Sequence, residues 1–140
     1  MSEQKIEMHH QGQFSGSPAE VLGLMGSMYL LTNGYAHENV ISWDDEVLYL
    51  TVDGECVALI TWRNTKWRKV ANITIGYVAE AHRRKGYYRK LWEYMVAYIK
   101  ENYPEITRVE TGHHVNNEIS RTMQESLGRK PAFITYEYSL

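Results

Sequence analysis

Residues 70–91, VANITIGYVAEAHRRKGYYRKL, constrain this chain more than any other stretch. Val70, Ile73, Ile75 and Val78 form an apolar, β-branched run that stops at Ala79-Glu80-Ala81. Such a run favours a strand. A basic turn follows, Arg83-Arg84-Lys85-Gly86, and then Tyr87, Leu91, Tyr94, Met95, Tyr98 and Ile99 recur at helical spacing. A strand that feeds a helix through a short basic turn makes an anion cradle. The first-turn N–H groups have no partners within the helix, and the helix dipole adds partial positive charge there. Gly86 has no side chain to keep a phosphate away from those groups. Arg83, Arg84, Lys85, Arg89 and Lys90 add formal charge. The stretch reads as a seat for a pyrophosphate-bearing ligand.

The rest of the chain is long enough to support such a seat. With 140 residues, one domain over 1–140 is expected, able to bury roughly two-thirds of the surface its unfolded form exposes. The formal net charge is −2, so the molecule as a whole is no polyanion binder despite its local basic patch. Cys56 is the one cysteine, which excludes an internal disulfide and a multi-cysteine zinc site and fits a reducing compartment. The opening MSEQKIEMHHQGQ is polar and unlike a signal peptide. No stretch approaches the roughly 18 apolar residues of a membrane span. A cytoplasmic protein with no membrane partner is expected, and no metal site is assigned, since His9 and His10 lack a third ligand.

In chain order, a short strand is expected around Lys5 to His10. Ser17-Pro18-Ala19-Glu20 has the form of a capping box with proline at the first helical position. Val21, Met25, Met28, Tyr29 and Thr32 then mark the apolar face of a helix that stops at Asn33-Gly34. Residues 35–46 are irregular and acidic. Val47 to Val52 and Glu55 to Arg63 read as strands joined by the hairpin signal Asp53-Gly54, with Cys56 on the face of Ala58, Ile60 and Trp62. Asn64 to Lys69 is a polar turn, and Val70 to Val78 is the next strand. A helix from Gly86 to Tyr103 ends before Pro104. Thr107 to Gly112 is a short strand. Asn116 or Asn117 caps a helix carrying Ile119, Met123 and Leu127, and Gly128 ends it. A last strand is expected over Ala132 to Tyr138. This order predicts an α/β fold with a mixed, mostly antiparallel central sheet and helices packed on it.

The run from Val78 to Leu91 resembles the acetyl-CoA motif of the GNAT N-acetyltransferases, Arg/Gln-x-x-Gly-x-Gly/Ala, as Arg83-x-x-Gly86-x-Tyr88. Asn117, Ser120, Leu127 and Gly128 resemble that family's Asn-x-x-Ala/Ser…Leu-Gly-Phe segment. The element order agrees from the first helix to the last strand, so the resemblance covers roughly residues 17–140 and implies a GNAT-like sheet with helices on both faces. It implies acetyl-CoA as cosubstrate and transfer of its acetyl group directly to a primary amine of unspecified class. Backbone groups of Gly76, Tyr77 and Val78 would pair with the pantetheine arm. N–H groups from Arg83 through Arg84, Lys85, Gly86 and Tyr87 to Tyr88 would hold the pyrophosphate, and Asn117 would reach the arm from the other side. Three positions depart from the pattern: Tyr88 stands where the family has Gly or Ala, Gln124 where many members have a proton-donating tyrosine, and Arg129 where phenylalanine is usual.

The amine must lose a proton, to a base or through water. His113, His114 and Glu110 end the strand after the long helix, and a histidine titrates near neutral pH. Adjacent strand residues point in opposite directions, so one histidine at most faces the site. His113 is preferred, then Glu110. Glu38, Asp44, Asp45 and Glu46 would wall the acceptor site and attract a cationic amine. Two rival readings stay open. Tyr88 and Gln124 suit a catalytically weak or inactive GNAT fold that binds a macromolecular partner. Trp62 to Lys69 interleaves tryptophan with basic residues and would suit single-stranded nucleic acid. Phe133, Tyr136 and Tyr138 would permit a homodimer.

Overall fold

The computed structural model describes residues 3–113, 116–132 and 136–139. Five strands, β1 (Ile6–Gln11), β2 (Glu46–Val52), β3 (Glu55–Thr65), β4 (Val70–Val78) and β5 (Arg108–Thr111), form one sheet in the order β1-β2-β3-β4-β5. The first four are antiparallel neighbours, and β5 joins β4 in parallel. The helices are α1 (Glu20–Thr32), α2 (Tyr87–Asn102) and α3 (Glu118–Ser126). This is the mixed, mostly antiparallel sheet with helices on both faces that the sequence implies. Among the described residues no helix is long and apolar enough to cross a membrane.

The core lies on both sides of β2 and β3. Leu48, Leu50, Ile60 and Trp62 face α2, which covers them with Tyr87, Leu91, Met95 and Ile99. These four recur every fourth residue, as one helical face requires. Val47, Tyr49 and Leu59 face the opposite way, toward α1 and Phe14. Each fully buried side chain of this kind contributes roughly 1.5–3 kcal/mol of transfer free energy.

A β-bulge decides which side chains of β4 meet which helix. Thr61 pairs with Ile75 but Trp62 pairs with Ile73, so Thr74 is an extra residue. Ile73 therefore joins the α2 side of the core and Ile75 the α1 side. A second bulge, at Val57, places Leu50 opposite Ala58 and Thr51 opposite Cys56. It turns Cys56 away from the face of Ala58, Ile60 and Trp62, where plain alternation puts it, and onto the α1 side.

The first helix differs from expectation in start and in face. Ser17 caps nothing: its carbonyl accepts the Glu20 N–H in a tight turn and the helix begins at Glu20. The Glu20 carboxylate does reach back, accepting the Gly16 N–H at 2.9 Å. The buried face is Leu22, Gly23, Gly26 and Ser27, while Val21 (72 % exposed) and Met28 (61 %) face outward. The reason is proximity. A Cβ on Gly26 would sit 2.9 Å from Ile75 Cδ1 and Tyr77 Cγ, so only small residues fit between helix and sheet.

Trp62 is fully buried beneath α2 and Tyr98, so it offers nucleic acid no stacking surface, although Trp67 is exposed. Of the expected last strand, Phe133 to Thr135 lie outside the described residues. Residues 136–139 carry no strand, and Tyr136 and Tyr138 are exposed.

Candidate active site

Pairing between β4 and β5 lasts only from Val70 opposite Arg108 to Ile73 opposite Thr111. Beyond that point a cleft of about 770 Å³ opens between β4, the end of β5, the β4–α2 turn, α1 and α3. Its floor is the stretch of β4 from Thr74 to Val78, whose side toward β5 has no strand partner among the described residues. Such an open backbone edge has hydrogen-bonding groups to offer, and a linear ligand can pair with them as an added strand.

Gly76, Tyr77 and Val78 line the cleft along β4. Arg83, Arg84, Gly86, Tyr87 and Tyr88 line its far end, whereas Lys85 does not reach it. The turn here is shaped by two left-handed residues, Arg84 (φ 64°) and Gly86 (φ 77°). Gly86 adopts this geometry freely, while Arg84 is held in it against its own Cβ. Arg83 is extended, donates from Nε to the Val78 carbonyl at 3.0 Å and lays its guanidinium 5.3 Å from the centre of the Tyr77 ring. At the start of α2 no side chain caps the N–H groups and no acidic residue sits in the first turn. The positive end of the helix dipole thus opens on the cleft beside three arginines, Arg83, Arg84 and Arg89.

Tyr88 turns inward. A Cβ on Gly76 would meet the Tyr88 ring at 2.5 Å and its hydroxyl at 2.6 Å, so the phenol lies directly on the Gly76 backbone. Burial pushes its pKa up, and the positive charge of Arg129 beside it pulls the other way. Arg129 itself stacks on Trp92 at 3.8 Å and donates to Gln124 Oε1. The two departures from the family pattern on α3 and after it, Gln124 and Arg129, are therefore hydrogen-bonded to each other, and the third, Tyr88, meets Arg129.

Asn117 lines the cleft and is buried. Its Oδ1 accepts the Ser120 N–H at 3.2 Å, which caps α3. That leaves its amide nitrogen as the end a ligand can use. His113 lines the cleft where β5 leaves β4. His114 lies outside the described residues. Glu110 is absent from the cleft walls, and its carboxylate is held by Arg68 at 3.3 Å and Arg108 at 3.0 Å.

In the acidic stretch Glu38 and Asp44 are exposed and outside the cleft walls, and Asp45 and Glu46 do other work than the one expected of them. Asp45 is 2 % exposed and accepts from the Ser42 N–H, Arg63 Nε and Thr74 Oγ1 at 3.0, 2.8 and 2.8 Å. It fastens the β4 bulge from below, and Arg63 carries the tie onward to the Val40 carbonyl at 3.1 Å. Glu46 lies toward the opposite edge of the sheet, where it accepts from Tyr103 at 2.5 Å and meets His10 at 3.1 Å. Neither residue lines the cleft. The walls that sequence reasoning missed are Tyr29, Leu30, Tyr35 and Val40 on the α1 side and Thr74 at the bulge. The aromatic ring at 29 was visible as an apolar helix position. Nothing local marks Thr74, because a bulge is set by the partner strand.

Such a cleft can hold an anion at one end, a linear arm along its floor and a third group near His113. A family model described as the acetyltransferase (GNAT) family matches residues 24–128. No curated protein matches the sequence. Among solved structures, a possible acetyltransferase from Clostridium difficile 630 superposes with a TM-score of 0.66 at 18 % identity, covering 96 % of this chain and 97 % of that one. A ribosomal-protein-alanine N-acetyltransferase from Brucella melitensis biovar Abortus 2308 gives 0.68 at 12 % identity, over 97 % and 100 %. An aminoglycoside N-acetyltransferase, AAC(6')-Iy, solved with CoA gives 0.66 at 13 % identity, over 99 % and 97 %. At these identities the likeness is one of fold.

Proposed function

This chain belongs to the GNAT acetyltransferase family, and from that premise we propose that it moves the acetyl group of acetyl-CoA directly to a primary amine. One observation carries the reading: the unpartnered edge of β4 and the uncapped, arginine-flanked start of α2 open on the same cleft. In this reading the N–H groups from Arg83 to Tyr88 hold the pyrophosphate, and Arg83 and Arg84 add charge. Lys85 contributes from outside the cleft wall. Backbone groups of Gly76, Tyr77 and Val78 pair with the pantetheine arm, and the Asn117 amide meets it from the facing wall. The arm then ends near the bulge, where an N–H of the open edge stabilises charge developing on the thioester oxygen.

His113 takes the amine proton, directly or through water. Glu110 is the weaker candidate, because two arginines hold its carboxylate. The leaving thiolate has an ordinary pKa of roughly 8–9 and departs without a strong acid, so Gln124 does not block the reaction. We place the protein in the cytoplasm, where Cys56 stays reduced.

The test is incubation with acetyl-CoA and a panel of primary amines while free thiol is followed. Amine-dependent thiol release is expected. His113→Ala should lower kcat roughly a hundredfold, in the range general bases supply, with the acetyl-CoA dissociation constant unchanged. An unaltered pH–rate profile in that variant would remove His113 from the role. A second reading, a GNAT fold that binds a macromolecular partner without transfer, draws on the Tyr88 ring seated against Gly76 in the cleft. It requires that CoA fail to stabilise the protein. The enzymatic reading requires about 2.7 kcal/mol of stabilisation at a hundredfold excess over the dissociation constant.

A further inference from the structure

We infer that the acceptor is a primary amine on an aromatic or aliphatic body with no second positive charge, an arylalkylamine in its simplest form. The inference rests on the acetyltransferase reading and narrows its open term. Among the described residues no aspartate or glutamate lines the cleft. The arginines there, Arg83, Arg84 and Arg89, stand at the end proposed for the pyrophosphate, and His113 lines the other end. Of the carboxylates near the acceptor wall in sequence, Asp45 is held beneath the bulge and Glu46 toward the far edge of the sheet, while Glu38, between Ala36 and Val40, is exposed and does not line the cleft.

A polycation entering this cleft loses water around each charge and meets no carboxylate among the described lining residues. A single amine pays that cost once. With no counter-charge nearby, the cleft favours its free base, the form that attacks a thioester. The walls suit the remainder of such a molecule. Tyr29 lies 6.4 Å from Tyr77 and 6.3 Å from Tyr35, ring centre to ring centre, on one side. Ile119 lines the other side and is 74 % exposed. An aromatic body between them covers apolar surface on both walls and meets the tilted rings in a favourable geometry.

The experiment has two arms. In the first, acetyl-CoA binding is read as a thermal shift. In the second, kcat/KM is measured for 2-phenylethylamine, kanamycin and spermidine. The expected result is binding of acetyl-CoA and a kcat/KM for 2-phenylethylamine at least tenfold above both polycations. Tyr29→Ala should then raise KM for 2-phenylethylamine several-fold and leave the acetyl-CoA shift in place. Acetyl-CoA binding with kanamycin or spermidine equal or preferred overturns the inference and leaves the acetyltransferase reading standing. Acetyl-CoA binding with transfer to none of the three also overturns it. Absence of acetyl-CoA binding overturns both.

Discussion

Tyr88 and Gly76 are a matched pair, and each sets what the other position can hold. Gly76→Ala would force the Tyr88 ring off the strand, because the new methyl would lie 2.5 Å from it. The expected cost is about 1–3 kcal/mol, as for overpacking. In a Tyr88→Ala background the same change should cost almost nothing, so denaturant unfolding of the four proteins should show strong coupling. Additive effects would mean that the ring rests elsewhere in solution. Asp45→Ala removes three hydrogen bonds to a buried carboxylate and should lower stability by roughly 3 kcal/mol. It should also slow transfer, since the bulge loses its tether. Alkaline pH gives a residue-level test with a definite sign. Burial raises the Cys56 thiol from 9.0 to about 11. The folded protein keeps a proton there that the unfolded chain releases, so stability falls as pH rises from about 9 toward 11. Raised phenols at Tyr49, Tyr98 and Tyr103 extend the fall above pH 10. Cys56→Ala should flatten the first part of that decline in urea midpoints. None of these partnerships is local. The position of Tyr88 was legible from Gly86, but its direction was not, because Gly76 lies on the preceding strand.

In the proposed function, the turn between β4 and α2 trades stability for binding. Arg84 sits at φ 64°, which costs a residue with a Cβ roughly 1–2 kcal/mol. Arg84→Gly should therefore hold or raise stability by up to about 1 kcal/mol. The same change removes a charge facing the cleft, and the CoA dissociation constant should rise about tenfold, the equivalent of one charge-assisted hydrogen bond. Melting curves and calorimetry on one variant check both directions, and a joint loss of stability and affinity would contradict the account. The bounds of β4 and the inward face of α2 were readable, because strand and helix periods agree with burial there. Those of α1 were not. Its large apolar residues Val21, Met25 and Met28 read as a core stripe, yet the sheet lies too close to admit them. Helix-to-sheet distance is a tertiary quantity, and in this case small side chains mark the buried face better than apolar ones.

The fold as a whole was legible because the order of elements admits few topologies, and the basic turn fixed which strand feeds which helix. The proposed anion end of the site came with it. The proposed acceptor end did not, since its walls come from α1, the loop after it and α3, brought together only by the fork between β4 and β5. Charge misled most there: Asp45 and Glu46 sit near the right elements but serve as internal fastenings. The fork has one further consequence. From Thr74 to Val78, alternate backbone amides point away from β3 into the cleft with no strand among the described residues to receive them. In the free protein these amides should exchange with deuterated water well ahead of their neighbours that face β3. Saturating CoA should slow them selectively, leaving β1 and β2 unchanged. Without that guest the same row of amides and carbonyls is an open strand edge, the kind of surface by which proteins stick to one another. The cosubstrate would then act as the missing strand, and its depletion should show first as self-association in light scattering, before any loss of helix.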